Sequence, residues 1–200
     1  MTITTSDNPW KAPMHYTLAA CSLLLFLTAA LASPADALPG VWSEFESGGW
    51  HTAAKDSAVA SGGKRVSWFD QEGRAVYVVF DVPAPMPRAV LFLRYSRALA
   101  GDSHVDATFG PLAEGAKPEK LPSIGPLRLP RTGGWERYGW ISTPVGDLAA
   151  GRYALTVRAT TKGGAGDLDV AALVADDPES RWMPPNEVKD GRFVGTGVLG

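Results

Sequence analysis

The sequence predicts an all-β fold, a β-sandwich of the jelly-roll kind, and three observations predict it. Period-two alternation of apolar and polar residues recurs in several short windows. No long window carries the 3.6-residue period of an amphipathic helix. Glycine- and proline-bearing turns separate the apolar runs, with 22 glycines and 16 prolines scattered and not massed, which reads as punctuation rather than disorder. A chain of 200 residues that is 45% hydrophobic and 20% charged can supply one core.

The elements follow in order. Residues 1–37 read as a secretory signal helix: Lys11 precedes an apolar run from Thr17 to Ala32, and Ala30-Leu31-Ala32 and Ala35-Asp36-Ala37 offer small-residue exits before Pro39. The run is short for a bilayer span. An uncleaved anchor is the alternative, and Leu18-Ala19-Ala20-Cys21 resembles a lipoprotein box, although most of the apolar segment follows the cysteine. Cys21 is the chain's one cysteine, so cleavage after Ala37 leaves a domain without disulfides, held by packing and any bound metal.

Residues 38–177 read as the sandwich. Val76, Val78, Phe80 and Val82 share one strand face, with Tyr77, Val79 and Asp81 opposite. Tyr153, Leu155, Val157 and Ala159 do the same against Thr156 and Arg158. Leu168, Val170, Ala172 and Val174 predict a third face, with Asp167 and Asp169 opposite. The run 89–96 is apolar on both faces, as a strand covered on both sides would be. Weaker strands are predicted at 41–46, 65–69, 105–109, 127–129 and 137–143. Residues 110–125 read as a long loop. Residues 178–200 form a C-terminal tail, which either packs back on the sandwich or leads to a partner.

Charge and motif content narrow the function. The formal net charge of -2, with no face gathering Lys and Arg, lacks the footprint of a nucleic-acid binder. Beyond the leader the chain has only His51 and His104, and it carries no H-E-x-x-H and no G-x-S-x-G. Its glycine pairs adjoin strands and turns, so they make no phosphate cradle.

Two constellations remain. Glu44 and Glu46 lie two apart on a predicted strand, so both carboxylates project from one face, where they repel unless a cation or a basic side chain stands between them. A solvated face beside Lys or Arg is the plain alternative. Asp102, His104 and Asp106 also alternate, and a surface strand near a turn explains them better than a metal cluster. The seven tryptophans are many for this length. Trp42, Trp50, Trp68, Trp135, Trp140 and Trp182 divide between core and exposed surface in a way the sequence leaves open.

A family likeness rests on an ordered set of short motifs. Glu44-Phe45-Glu46 opens the set, and Ser61-Gly62-Gly63 follows, ahead of Trp68. Then come Phe80-Asp81-Val82-Pro83, Leu93-Arg94-Tyr95 and Thr132-Gly133-Gly134-Trp135. Leu148-Ala149-Ala150-Gly151-Arg152-Tyr153-Ala154-Leu155 and Leu168-Asp169 close it. In this order they resemble the carbohydrate-binding modules of families 6 and 35, which are galactose-binding-domain-like jelly rolls, over about residues 41–176.

The resemblance implies a secreted or periplasmic, non-catalytic module that binds a polysaccharide or oligosaccharide on an aromatic platform. Trp135 would be the platform, Trp68 the opposing wall, and Asp167 a hydrogen-bonding partner of the sugar. Asp167 departs from the asparagine often found there, and an ionised aspartate accepts without donating. The resemblance also implies a structural calcium held by Glu44, Glu46 and Asp169. The partner is then a saccharide, with no nucleic acid, no membrane after signal cleavage, and a monomeric state. The competing classes are a structural or protein-interaction sandwich, for which Trp135 would be buried, and a small polysaccharide-active enzyme. The latter needs an acid and a base flanking one bond.

Overall fold

The computed structural model describes residues 39–50, 53–67, 71–101, 103–160, 165–178 and 182–195. The predicted signal segment, His51, Trp68 and Asp102 lie outside the described residues. Among those described, no helix is long and apolar enough to cross a membrane.

Two antiparallel sheets face each other. The first holds β1 (Val41–Glu44), β2 (Ala53–Asp56), β3 (Lys64–Ser67), β5 (Met86–Arg97), β8 (Gly134–Leu148) and β10 (Asp167–Ala175), in the order β2-β3-β10-β5-β8 with β1 also on β10. The second holds β4 (Ala75–Val82), β6 (Ser103–Pro111), β7 (Ser123–Leu129) and β9 (Gly151–Ala159), in the order β4-β9-β6-β7. The strands predicted at 65–69, 105–109, 127–129 and 137–143 all have counterparts, most of them longer than the sequence pattern suggested. The short β2 was not anticipated.

Alternation does what it predicted in β4 and β9. Val76, Val78, Phe80 and Val82 enter the core between the sheets, as do Tyr153, Leu155, Val157 and Ala159. Phe109 and Tyr153 stack there at 5.6 Å. Alternation fails in β10. Its register slips between Leu168 and Ala171, and the face changes with it. Leu168, Ala171 and Leu173 point into the main core, while Ala172 and Val174 point outward. A bulge of this kind bends the strand and leaves a residue unpaired. It also changes partners: Val170 pairs with Glu44 of β1, Leu168 pairs with Val66 of β3, and Asp169 lies between them.

The covered outer face predicted for residues 89–96 is real, and the C-terminal segment covers it. Phe92, Ala172 and Val174 form a second apolar cluster against Trp42, Trp140, Trp182 and Met183. Trp182 meets Phe92 at 5.9 Å and Trp42 at 6.3 Å, both edge to face, the favoured arrangement of aromatic quadrupoles. A small hairpin of β11 (Val188–Lys189) and β12 (Arg192–Phe193) follows, with Phe193 at 5.3 Å from Trp42. The indole of Trp140 donates to Pro185 O at 3.2 Å, and the Asn186 amide donates to Tyr138 O at 2.8 Å. Of the two readings of the tail, residues 182–195 take the first.

In the loop 112–122, the Leu112 amide donates to Arg152 O at 2.9 Å. Thr156 Oγ1 donates to Pro118 O at 3.2 Å. The loop is therefore laid across the second sheet.

Trp182→Ala is expected to lower stability by about 2 kcal/mol, less than the ~3–5 kcal/mol of a fully buried tryptophan because Trp182 is only half-buried. Denaturant titration measures it. An unchanged midpoint would mean that the segment adds nothing to the sheet it covers.

Candidate functional site

Two polar constellations lie on the first sheet. One gathers where β3 and β5 end and β8 and β10 begin, which is the end of the sheet that carries the Thr132-Gly133-Gly134-Trp135 turn. Gly133 adopts φ +92, a conformation that glycine takes without strain. Beyond it the ladder breaks: Ser96 faces Tyr138, yet the next residue, Arg97, faces Gly134. Trp135, Glu136 and Arg137 are thereby bulged out of register.

Trp135 is 39% exposed, whereas Trp42, Trp140 and Trp182 are packed into the outer cluster. Trp50, 40% exposed, leans on Tyr77 at 4.7 Å. The structure thus sorts the described tryptophans that the sequence left open. Trp135 is not the buried residue that the structural or protein-interaction reading expected.

The Trp135 backbone is clamped. Its carbonyl accepts from Ser96 Oγ at 2.8 Å and from Arg65 Nη1 at 2.7 Å. Arg65 is nearly buried, and its Nε lies 2.9 Å from Asp167 Oδ2. Nη1 also reaches Glu136 Oε1 at 2.5 Å, and the other oxygen of that carboxylate accepts from Ser57 Oγ at 2.8 Å. Burial pushes the Asp167 carboxyl upward, while Arg65, Ser67 and Lys55 pull it back. Asp167 is therefore brought beside the Trp135 backbone through Arg65. Trp68, which follows Ser67 directly, belongs to the undescribed residues.

The second constellation occupies the break in the β10 edge. The expectation that Glu44 and Glu46 share one strand face is corrected: the strand ends at Glu44, and Phe45–Ser47 form a 3-10 turn. Phe45 needs the core, where it is fully buried, and Ser47 Oγ donates to Glu44 O at 2.7 Å, which favours the turn. The two carboxylates still converge, on Gly62. A Cβ there would meet Glu46 Oε1 at 2.8 Å and Glu44 Cδ at 3.7 Å.

Glu44 Oε1 accepts from Ser61 Oγ at 2.5 Å, and Asp169 forms a buried ion pair with Arg94. Arg94 also donates to Val59 O, Asn186 Oδ1 and Asn186 O, and lies over the Tyr138 ring at 4.2 Å. Three carboxylate oxygens remain buried without a hydrogen-bond partner: Glu44 Oε2, Glu46 Oε2 and Asp169 Oδ1.

Burial pushes Glu44 from its ordinary 4.5 to about 8, with Asp169 and Glu46 adding repulsion. It pushes Glu46 to about 7, again with repulsion from Asp169, and Asp169 to about 6 against the pull of Arg94. The carboxylates feel one another without forming a finished cage. Among the described residues, no three acidic, imidazole or thiol side chains are gathered closely enough to hold a metal ion as they stand.

Sequence reasoning missed Arg65, Arg94, Glu136 and Asn186. An arginine inside the apolar run 89–96 was the one available signal, since a buried guanidinium requires buried acceptors.

The architecture is the jelly roll of carbohydrate-binding modules. The chain superposes on the CBM35 from Cellvibrio japonicus Abf62 with a TM-score of 0.51 at 19% identity, covering 71% of this chain and 92% of that one. It superposes on a family 35 carbohydrate-binding module from Clostridium thermocellum with a TM-score of 0.55 at 18% identity, covering 67% and 98%. It also matches 29% of an exo-beta-1,3-galactanase from Phanerochaete chrysosporium, with a TM-score of 0.54 at 20% identity and 68% of this chain covered. No protein-family model matches the sequence, and no curated protein matches it. The likeness is one of fold.

In protein stripped of divalent ions, the folded state keeps protons on Glu44 and Glu46 at pH values where the unfolded chain has released them. Stability is therefore expected to fall as pH rises from about 4.5 to about 8. Thermal melts across that window check it. Glu44→Gln should flatten the slope, and a melting temperature that climbs towards pH 8 would contradict the assignment.

Proposed function

We propose that this chain is an exported, non-catalytic carbohydrate-binding module that holds a polysaccharide or oligosaccharide against Trp135 and is stapled by a structural calcium ion. The observation that carries the reading is Trp135: a large indole 39% exposed at the end of the sheet, on a backbone clamped by two buried donors. A pyranose ring offers a C–H face to such a plane and a rim of hydroxyls to polar groups beside it. Asp167, 8% exposed and paired through Oδ2 with Arg65, would offer the rim at most its other oxygen. The structural neighbours are themselves named carbohydrate-binding modules, which supports the same class of ligand.

Calcium is a hard cation that takes carboxylate oxygens. The three orphaned oxygens of Glu44, Glu46 and Asp169 are of the kind it takes, and an ion that drew them together would offset the burial, and the lesser mutual repulsion, that raise the glutamate pKa values. Its role is to fasten β1 and the 61–63 turn to β10. The apolar run from Thr17 to Ala32 and the small-residue sites after it support export.

Affinity electrophoresis and calorimetry against a panel of plant, algal and bacterial polysaccharides test the ligand class. Trp135→Ala is expected to weaken binding by about tenfold or more. Binding that survives this change intact, or no binding to any polysaccharide, would overturn the reading. Calcium added to chelator-treated protein is expected to raise the melting temperature in a concentration-dependent way, and Glu44→Gln with Glu46→Gln to abolish the increment.

A further inference from the structure

We infer that Arg65 is the positioning residue of the Trp135 platform: it sets where the indole stands without itself touching the saccharide. This rests on the platform reading above.

The argument starts from the bulge. Residues 135–137 are released from the β5–β8 ladder, so no ladder hydrogen bond fixes the direction in which Trp135 leaves the sheet. What holds that backbone is the pair of donors on its carbonyl, Ser96 Oγ and Arg65 Nη1. Ser96 comes from β5, the neighbouring strand. Arg65 comes from β3, three places along the sheet from β8. Three strand spacings of about 4.8 Å are more than an arginine side chain spans, so the contact requires the bulged 135–137 segment to lean back over the sheet towards β3.

The guanidinium is held at both ends of its reach. On one side Nε meets Asp167 Oδ2 at 2.9 Å, with Ser67 Oγ at 3.4 Å. On the other, Nη1 meets the Trp135 carbonyl, Glu136 Oε1 and, at 3.5 Å, Tyr138 Oη. A planar fork with fixed donor angles transmits the position of Asp167 to Trp135, whereas a lysine ammonium is a single point charge that cannot span both sets of acceptors. Arg65 is 9% exposed and its acceptors are protein groups, so its charge is committed inward.

The test uses four variants of the full chain: Arg65→Lys, Arg65→Met, Trp135→Ala, and Arg65→Lys combined with Trp135→Ala. Each is measured for affinity towards a polysaccharide that the parent binds and for melting temperature. Arg65→Lys, which keeps the charge and the fold, is expected to weaken binding about tenfold, and Arg65→Met at least as much. In the Trp135→Ala background, Arg65→Lys should cost nothing further, since the group it positions is gone.

A second readout is independent of ligand. The Trp135 emission, obtained in each background by subtracting the spectrum of the same chain carrying Trp135→Phe, should shift in both Arg65 variants while the far-ultraviolet circular dichroism stays unchanged. Parental affinity in Arg65→Lys alongside a loss in Trp135→Ala overturns the inference and leaves the platform intact. An undiminished loss from Arg65→Lys in the Trp135→Ala background overturns it too, because Arg65 would then meet the saccharide itself. Parental affinity in Trp135→Ala sinks the platform reading instead, while the emission shift still reports on the clamp.

Discussion

The Asp169–Arg94 ion pair is the contact on which the first sheet depends. β10 is shared on one edge by two strands, and Asp169 sits at the break, fully buried, where neither strand offers it a ladder partner. A carboxylate in such a place is tolerable only if a buried cation faces it. Arg94 does so from the middle of β5, and it is too large and too polar to be left with one partner. Its remaining donors go to Val59 and Asn186, and its faces go to Tyr138 and Phe193. The placing of the 57–63 turn and of the C-terminal segment both follow from satisfying one guanidinium.

That chain of need links the acidic constellation to the segment that covers the outer sheet. Gly62 N donates to Gly191 O at 2.9 Å, so the turn that carries Ser61 also anchors the terminal hairpin. Ser61 holds Glu44, and Arg94 holds both Asp169 and Asn186. The acidic constellation and the hairpin therefore share a turn and an arginine. Apolar packing around Trp42 and Trp182 supplies area, and the polar contacts supply position.

How much of this could be read from residues alone varies with how far each pattern depends on distant partners. The strands β4 and β9 were legible because each pairs regularly along its whole length, so sequence alternation survives as geometry. β10 misled because its bulge reverses the alternation, and a bulge depends on two other strands that no window of β10 contains. Glu44 and Glu46 were legible as a pair, but not as the end of a strand followed by a turn, since the turn answers to the burial of Phe45. Trp135 could be flagged through its two preceding glycines. Its clamp could not, because Arg65 lies far away in sequence and its role exists only once β3 and β8 share an end.

The two arginine–aspartate pairs also help to fix the register of a strand built mostly of small apolar residues. From Val170 to Ala175, β10 reads Val-Ala-Ala-Leu-Val-Ala, with Leu173 its one large side chain in the main core. A slip of one residue would reverse the faces, and packing forbids it. A slip of two would keep the faces but set Leu173 and Ala171 out of their places in the core, a cost that the ion pairs add to. Asp167 and Asp169 stand two apart, each met by its own buried arginine on a different strand. Sliding by two would bring Asp169 to Arg65 and leave Arg94 buried without its acid, a cost of about 3–5 kcal/mol. Buried ion pairs are a weak source of net stability, but here they sharpen a discrimination between registers that hydrophobic packing also makes. The same discrimination sets the end of β10, and with it the place of Asp167 beside Trp135, so the geometry of the candidate binding face descends from the register lock and not from the loop that displays it.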